Sequence, residues 1–361
     1  MKLVVRLLLL LLVVAALVGG WLWYAIKTPY QAFSKEGVFI DVPHGASQRT
    51  VARLLQRNGV IRSAVAFEIY ARRHAKRGLQ AGEYFFDQPI TAENVYRKLA
   101  NGDIYEQPFT VREGETMFEI AKELQDAKYM SAEEFLAAAK NPELIAGIAP
   151  EAKTLEGFLF PATYHLPRKP VPTELVADMV RKFKDTWAEL DPGGDKTGIA
   201  QGRPVLAVVT LASLVERETP KPEERPLVAG VFSNRLRREM LLQCDPTVIY
   251  ALDRVGKYRG MLTLTDLRFD SPYNTYVHTG LPPGPIGNPG EQSLRAALDP
   301  AQTEYLYFVA NTQGGHFFSA TLEGHNQNVV RYHRLLRGEA VDPPVPLDAS
   351  KGRGEHSGNH R

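Results

Sequence analysis

Glu216 and Glu218 close an almost wholly aliphatic segment, VLAVVTLASLVERE at 205–218. A carboxyl rooted in such a helix is partly desolvated, which favours its neutral form and raises its pKa. A general acid working near neutral pH needs that shift. Ser213 lies one turn before Glu216 on the same face, whereas Glu218, two residues on, points away from it. The alternative for Glu216 is structural, as a helix-end carboxylate paired with Arg217 or Arg225.

A second clue is SPYNTY at 271–276, followed by GLPPGP at 280–285 and IGNPG at 286–290. A long, polar, aromatic loop stiffened by proline is costly to keep unless it binds something. Aromatic faces set among amides and hydroxyls suit sugar rings, whose apolar C–H faces are edged by hydroxyls. A structural loop, with Tyr and Pro packed on the core, is the other reading. No pair among His165, His278, His316 and His325 has i, i+4 spacing and no H-E-x-x-H occurs, so no metal site is expected. No phosphate loop, nucleotide fingerprint or G-x-S-x-G elbow appears, so no cofactor is expected either. Cys244 is the single cysteine and cannot make an intrachain disulfide. Its setting, LLQCDP at 241–246, carries no catalytic-cysteine signature and reads as a small buried residue.

These groups need an α+β scaffold. The helix at 204–217 is apolar all round and should lie in the centre of its domain. Further helices are predicted at 173–190, 222–239, 246–252 and 326–337, with a hairpin of 305–309 and 316–319 joined through Gly314 and Gly315. The Gly-, Pro- and Tyr-rich stretch 256–293 reads as irregular. Two stretches resemble each other: VPHGAS at 42–47 and VREGET at 111–116, each followed by apolar residues at helical spacing. Each reads as a strand, a Gly turn, a Ser or Thr N-cap and a helix, and capped helices follow at 63–73 and 131–139. Strands at 82–86 and 108–111 flank a helix at 92–100. The polar tail 342–361 reads as disordered.

Residues 7–26, LLLLLLVVAALVGGWLWYAI, carry no charge, and about 20 apolar helical residues span a bilayer. Lys2 and Arg6 precede the run and Trp21, Trp23 and Tyr24 close it. This arrangement puts residues 1–6 in the cytoplasm and the bulk of the chain outside. The alternative is a cleaved signal peptide, whose apolar region of about 7–15 residues ends in a small-x-small site. Here the run continues into large aromatics, which favours an anchor. Lys plus Arg number 43 against 41 Asp plus Glu, so no strong field exists to gather nucleic acid. A local cluster of Arg49, Arg53, Arg57, Arg62, Arg72, Arg73, Lys76 and Arg77 could meet anionic headgroups but reads better as a solvated helix face.

Taken together, LEGFLFPATY at 155–164, LASLVERET at 211–219, LQCDPTVIY at 242–250, the 271–290 loop and YLYFVA at 305–310 resemble the endolytic murein (peptidoglycan) transglycosylases, the MltG or YceG-like family. The resemblance covers nearly the whole chain, to about Arg337. It implies Glu216, the first Glu of the family's A-S-[IL]-V-E-[KR]-E-T motif, as catalytic acid. Ser213, Gln243, Asp245, Tyr273, Asn274, Tyr276 and Asn288 would line a glycan groove, with Glu156 and Glu218 in reserve as acid or for orienting sugar hydroxyls. Residues 37–107 would form a LysM-like module and 108–340 the catalytic domain. The implied protein is a single-pass inner-membrane enzyme that cuts nascent strands between MurNAc and GlcNAc to leave 1,6-anhydroMurNAc ends, thereby stopping their growth. Peptidoglycan synthases would be its neighbours. A non-catalytic wall-binding scaffold on the same fold, or a hydrolase with a second carboxylate, are the alternatives. One departure stands out: Cys244 occupies a position where the family more usually has Thr.

Overall fold

Ser47, Ser63, Thr91, Thr116 and Ser131 each end an extended segment and start a helix, because each hydroxyl accepts the backbone N–H three residues on. The computed structural model describes residues 2–74, 78–191, 199, 200 and 202–339. It is a mixed α+β protein of two compact units, Met1–Phe109 with Thr163–Pro170, and Thr110–Ala162 with Val171–Arg361.

In chain order the first unit holds α1 (Lys2–Lys27), β1 (Val38–Val42), α2 (Gln48–Arg57), α3 (Ala64–Arg73), β2 (Gly82–Phe86) and α4 (Ala92–Asn101). β1 and β2 pair antiparallel with Ile40 opposite Tyr84, so both side chains enter one core with Val51, Leu55, Phe67 and Leu99. The first helix is long and apolar enough to cross a membrane, and its leucines from Leu3 to Leu17 are exposed. Its end is fixed to the unit. Arg62 lies over the rings of Tyr24 and Tyr30 at 4.7 and 4.6 Å and donates to the Pro29 carbonyl, while Tyr30 bridges Ile90. Arg49 and Arg72 of the basic cluster share Glu68 at the surface; Lys76 and Arg77 lie outside the described residues.

β3 (Gln107–Thr110) leads out of the first unit, and α5 (Met117–Asp126) and α6 (Ala132–Ala139) follow, each with a complete capping box. Both predicted strand–helix–helix runs therefore form, with Gly45 and Gly114 at φ +73° and +82° in the turns. β4 (Thr163–Leu166), which pairs with β3, was not anticipated. The second unit continues with α7 (Pro172–Leu190), the short β5 (Ile199–Ala200) and β6 (Arg203–Pro204), α8 (Val205–Glu218), α9 (Arg225–Arg237) and α10 (Asp245–Asp253). It ends with α11 (Glu291–Leu298), the hairpin β7 (Tyr307–Ala310) and β8 (His316–Ser319), and α12 (Leu322–Leu336).

Burial is continuous from Val208 to Val215, so α8 is the central helix its composition predicts, packed by α9, α10 and α11. Two expectations need correction. The helix expected over 222–239 is a 3₁₀ turn, Pro222–Glu224, and then α9, because Pro226 lacks an N–H and fits only the first helical turn. The irregular stretch ends sooner than expected, since Gly290 caps α11. The tail 342–361 lies outside the described residues.

Candidate active site

The aliphatic burial of α8 seats its last turn firmly, and Thr219, extended at φ −137°, ends the helix before Pro220. That turn sends its two carboxyls into different surroundings. Glu216 Oε1 accepts from Arg225 Nη2 at 2.7 Å, and Oε2 accepts from the Gly290 N–H at 2.9 Å. Only 4% of its side chain is exposed, against 7% for Arg225. Burial raises its pKa, while the Gly290 N–H and the Arg225 charge pull it back. It reaches the floor of an open cleft of about 630 Å³ lined by Arg112, Glu113, Glu119, Lys122, Glu123 and Arg217, among others, none of them aromatic. Each of its oxygens already accepts from one protein donor, so part of its acceptor capacity is committed to the fold. The pairing with Arg225 that the sequence allowed is present, on a side chain that also borders the cleft.

Glu218 faces another group. Burial pushes its pKa up to about 7, opposed by a hydrogen bond from the Cys244 thiol and reinforced by the Asp245 charge. Asp245, exposed beside the partly exposed glutamate, accepts from the Tyr276 hydroxyl at 2.5 Å, and Gln243 is exposed at the start of the same turn. These residues are brought together by strapping the turn before α10 to the Tyr-rich loop. The Gln243 N–H donates to the Thr275 carbonyl at 3.1 Å, and the Cys244 N–H to Thr275 Oγ1 at 3.0 Å. Thr247 Oγ1 lies 2.9 Å from that same hydroxyl. Gln243 holds φ +53°, a conformation a non-glycine residue keeps only when its surroundings impose it. Arg235 braces the turn from α9, donating to the carbonyls of Leu242 and Leu306 at 2.9 and 2.6 Å.

Three of the expected groove residues, Ser213, Asn274 and Asn288, and the reserve carboxyl Glu156 have their polar atoms engaged by the framework. Ser213 is fully buried, donating to the Thr210 carbonyl and accepting from the Ile286 N–H. Asn274 binds the Leu267 and Phe269 carbonyls and the Tyr276 N–H, folding the loop onto itself. Asn288 accepts from the Gly157 and Leu159 N–H groups and donates to the Glu115 carbonyl and Glu156. Glu156 is sealed, accepting from the Met117 N–H and the Tyr250 hydroxyl, with burial pushing its pKa up to about 8. Tyr273 packs on Tyr250 at 5.0 Å with Arg254 over its ring at 4.9 Å, and no contact joins it to Glu218. The polar loop thus stabilises itself with its amides and offers Tyr276 outward. Arg225 and Arg235 were not singled out as site residues. Their signal was an arginine at each end of an otherwise apolar helix, where burial demands a partner.

The profile of the YceG-like family matches residues 40–331. An endolytic murein transglycosylase of Bacillus subtilis is 34% identical over 333 residues, covering 88% of this chain and 91% of its own. One from Streptococcus pneumoniae is 30% identical over 347 residues, with 87% of this chain and 62% of that protein covered. The crystal structure of a yceG-like protein from Listeria monocytogenes superposes with a TM-score of 0.51 at 32% identity, over 81% of this chain and 99% of that one.

Proposed function

This chain belongs to the YceG-like family, and on that premise we propose that it is an endolytic murein transglycosylase, a lyase that cuts within peptidoglycan strands. The observation that carries the reading is the Glu218 carboxyl. It is sheltered enough to be protonated near neutrality, free of an arginine clamp, and set beside the exposed Asp245 and the half-buried Tyr276.

Glu218, rather than Glu216, is the acid in this reading. It protonates the glycosidic oxygen between N-acetylmuramic acid and N-acetylglucosamine. As carboxylate it then takes the proton of the muramic 6-hydroxyl, which attacks the anomeric carbon and closes a 1,6-anhydro ring. A single carboxyl suffices because the nucleophile is tethered to the substrate. The negative charge of Asp245 disfavours ionisation of Glu218 and so keeps the acid loaded. Activity depends on the protonated form, so kcat/KM is expected to fall as pH rises through about 7, and a pH–rate series on purified glycan checks this.

The proposal extends to the rest of the chain. α1 crosses the inner membrane with its N-terminus in the cytoplasm, as its flanking charges and closing aromatics suggest. Residues 37–107, with the order β1–α2–α3–β2, act as a LysM-like wall-binding module, and 108–340 carry the cleavage. Synthases that build the strand are the fitting neighbours.

The test is digestion of purified glycan with product mass as readout. Release of 1,6-anhydro ends without added water is expected. Asp245 beside Glu218 favours one rival, hydrolysis with a second carboxylate, and products heavier by one water would establish it. A protein that bound sacculi and released nothing would be a scaffold.

A further inference from the structure

Where α1 ends, the chain does not pass into a free linker. The Thr28 hydroxyl donates to the Tyr24 carbonyl, and Tyr30 exchanges two backbone hydrogen bonds with Ile90 at 3.0 and 3.2 Å. The Ala32 N–H donates to the Gly59 carbonyl at 2.9 Å. A Cβ at Gly59 would sit 2.7 Å from the Ala32 carbonyl carbon, so the two segments touch through backbone. α1 also packs against α3 and α4, and its Ala25 is buried. The last turn of α1 and the first unit are therefore one body. Arg62, just before the N-cap of α3, occupies the joint with its guanidinium over both the Tyr24 and Tyr30 rings. Its Nη2 donates to the Pro29 carbonyl at 3.1 Å, its Nε is buried without an acceptor, and among the described residues no carboxylate pairs with it. Glu93 of α4 is already taken by Lys27 and Arg97. We propose that Arg62 is a phosphate clasp for an anionic phospholipid of the membrane that α1 spans, and that it fixes the height of the first unit above the bilayer. This rests on the reading of α1 as a membrane span.

Trp21, Trp23 and Tyr24 are exposed near the end of α1. Amphipathic rings of this kind settle at headgroup level, where the lipid phosphates lie. A guanidinium stacked on one of those rings, with no carboxylate to neutralise it, keeps its charge available for a phosphate oxygen. Arginine suits both tasks, since its face stacks on tyrosine while its planar fork of N–H groups matches a phosphate. Arg57, two residues before Gly59, adds a second exposed cation at the same end of α2. Anionic lipid is drawn to such positions by charge as well as by hydrogen bonding.

The test uses the full-length protein in detergent, titrated with phosphatidylglycerol and read by native mass spectrometry. Arg62→Gln should weaken lipid binding roughly fivefold, the share of one interfacial arginine. Arg73→Gln, at the opposite end of α3, should leave it unchanged; equal losses in the two variants would mean diffuse charge attraction and overturn the clasp. Diacylglycerol with the same acyl chains should bind far less, because it lacks the phosphate. Displacement of the lipid by millimolar inorganic phosphate would make this a site for free anions and overturn the lipid assignment. A purely structural Arg62 would lower melting temperature while lipid affinity stayed where it was, which overturns the proposal too. Should Arg62→Gln fail to fold, Tyr24→Leu takes its place. It keeps the arginine and the Pro29 bond, removes one stacking ring, and should still weaken lipid binding; undiminished binding would sink the clasp. Alkaline carbonate washing separates this proposal from the reading beneath it. Release of the wild-type chain from membranes would defeat the span, whereas a retained chain whose lipid affinity ignores Arg62 would defeat the clasp alone.

Discussion

Glu218→Gln is expected to slow glycan cleavage by roughly a hundred- to ten-thousand-fold, the range a general acid contributes. Glutamine is close in shape and neutral, as roughly half of the carboxyls are near pH 7 and most are below it, so melting temperature should move little at mildly acidic pH. Glu216→Gln should behave oppositely, keeping cleavage at temperatures where the protein stays folded. Initial rates with product mass, measured on both variants, separate the two carboxyls. If Glu218→Gln cut normally while folded Glu216→Gln were dead, the acid would be Glu216. Its carboxylate would then have to leave Arg225 and Gly290 and turn into the charged cleft. Such a turn gives up two charge-assisted hydrogen bonds, one of them from a cation. Glu218 makes no comparable sacrifice, since among the described residues no arginine or backbone N–H is found hydrogen-bonded to it.

The reasons the sequence was legible in one place and opaque in another lie in the range of the interactions. Helix starts were readable because a Ser or Thr hydroxyl needs only a backbone N–H three residues away, as at Thr116 and Ser131. Central burial of α8 was readable because only Thr210 and Ser213 interrupt its apolar faces before the last turn, and such hydroxyls can donate back to the helix's own carbonyls. The choice between Glu216 and Glu218 was not readable. It depends on Arg225 nine residues on, Gly290 seventy-four residues on, and a turn at 243–245 tied to Thr275. Periodicity correctly separated the two carboxyls onto different faces but could not say which face was already occupied. The same limit explains Asn274 and Asn288. Their types suit sugar hydroxyls, yet an irregular Pro-rich segment leaves many backbone groups without a ladder, and these amides satisfy them.

Loss of the Glu216 charge carries the other large effect. Arg225 is nearly sealed, and its other anionic neighbour is Glu113 at 3.2 Å, a half-exposed side chain. Removing one member of such a pair leaves a desolvated charge, which ordinarily destabilises by about 3–5 kcal/mol. Glu113 compensates in part, and glutamine can still accept from Gly290, so Glu216→Gln should lie near the low end, at about 3 kcal/mol. For a unit of this size that lowers Tm by roughly 6–12 °C. Replacing both partners, Glu216→Met with Arg225→Met, should recover most of the loss, because two apolar side chains strand no charge. Thermal unfolding of the two single variants and the double variant gives the coupling directly. An additive double variant would mean that the pair is incidental to the fold. A strongly coupled one would mean that the first carboxyl of this helix end braces α9 and α11, leaving the second free for chemistry.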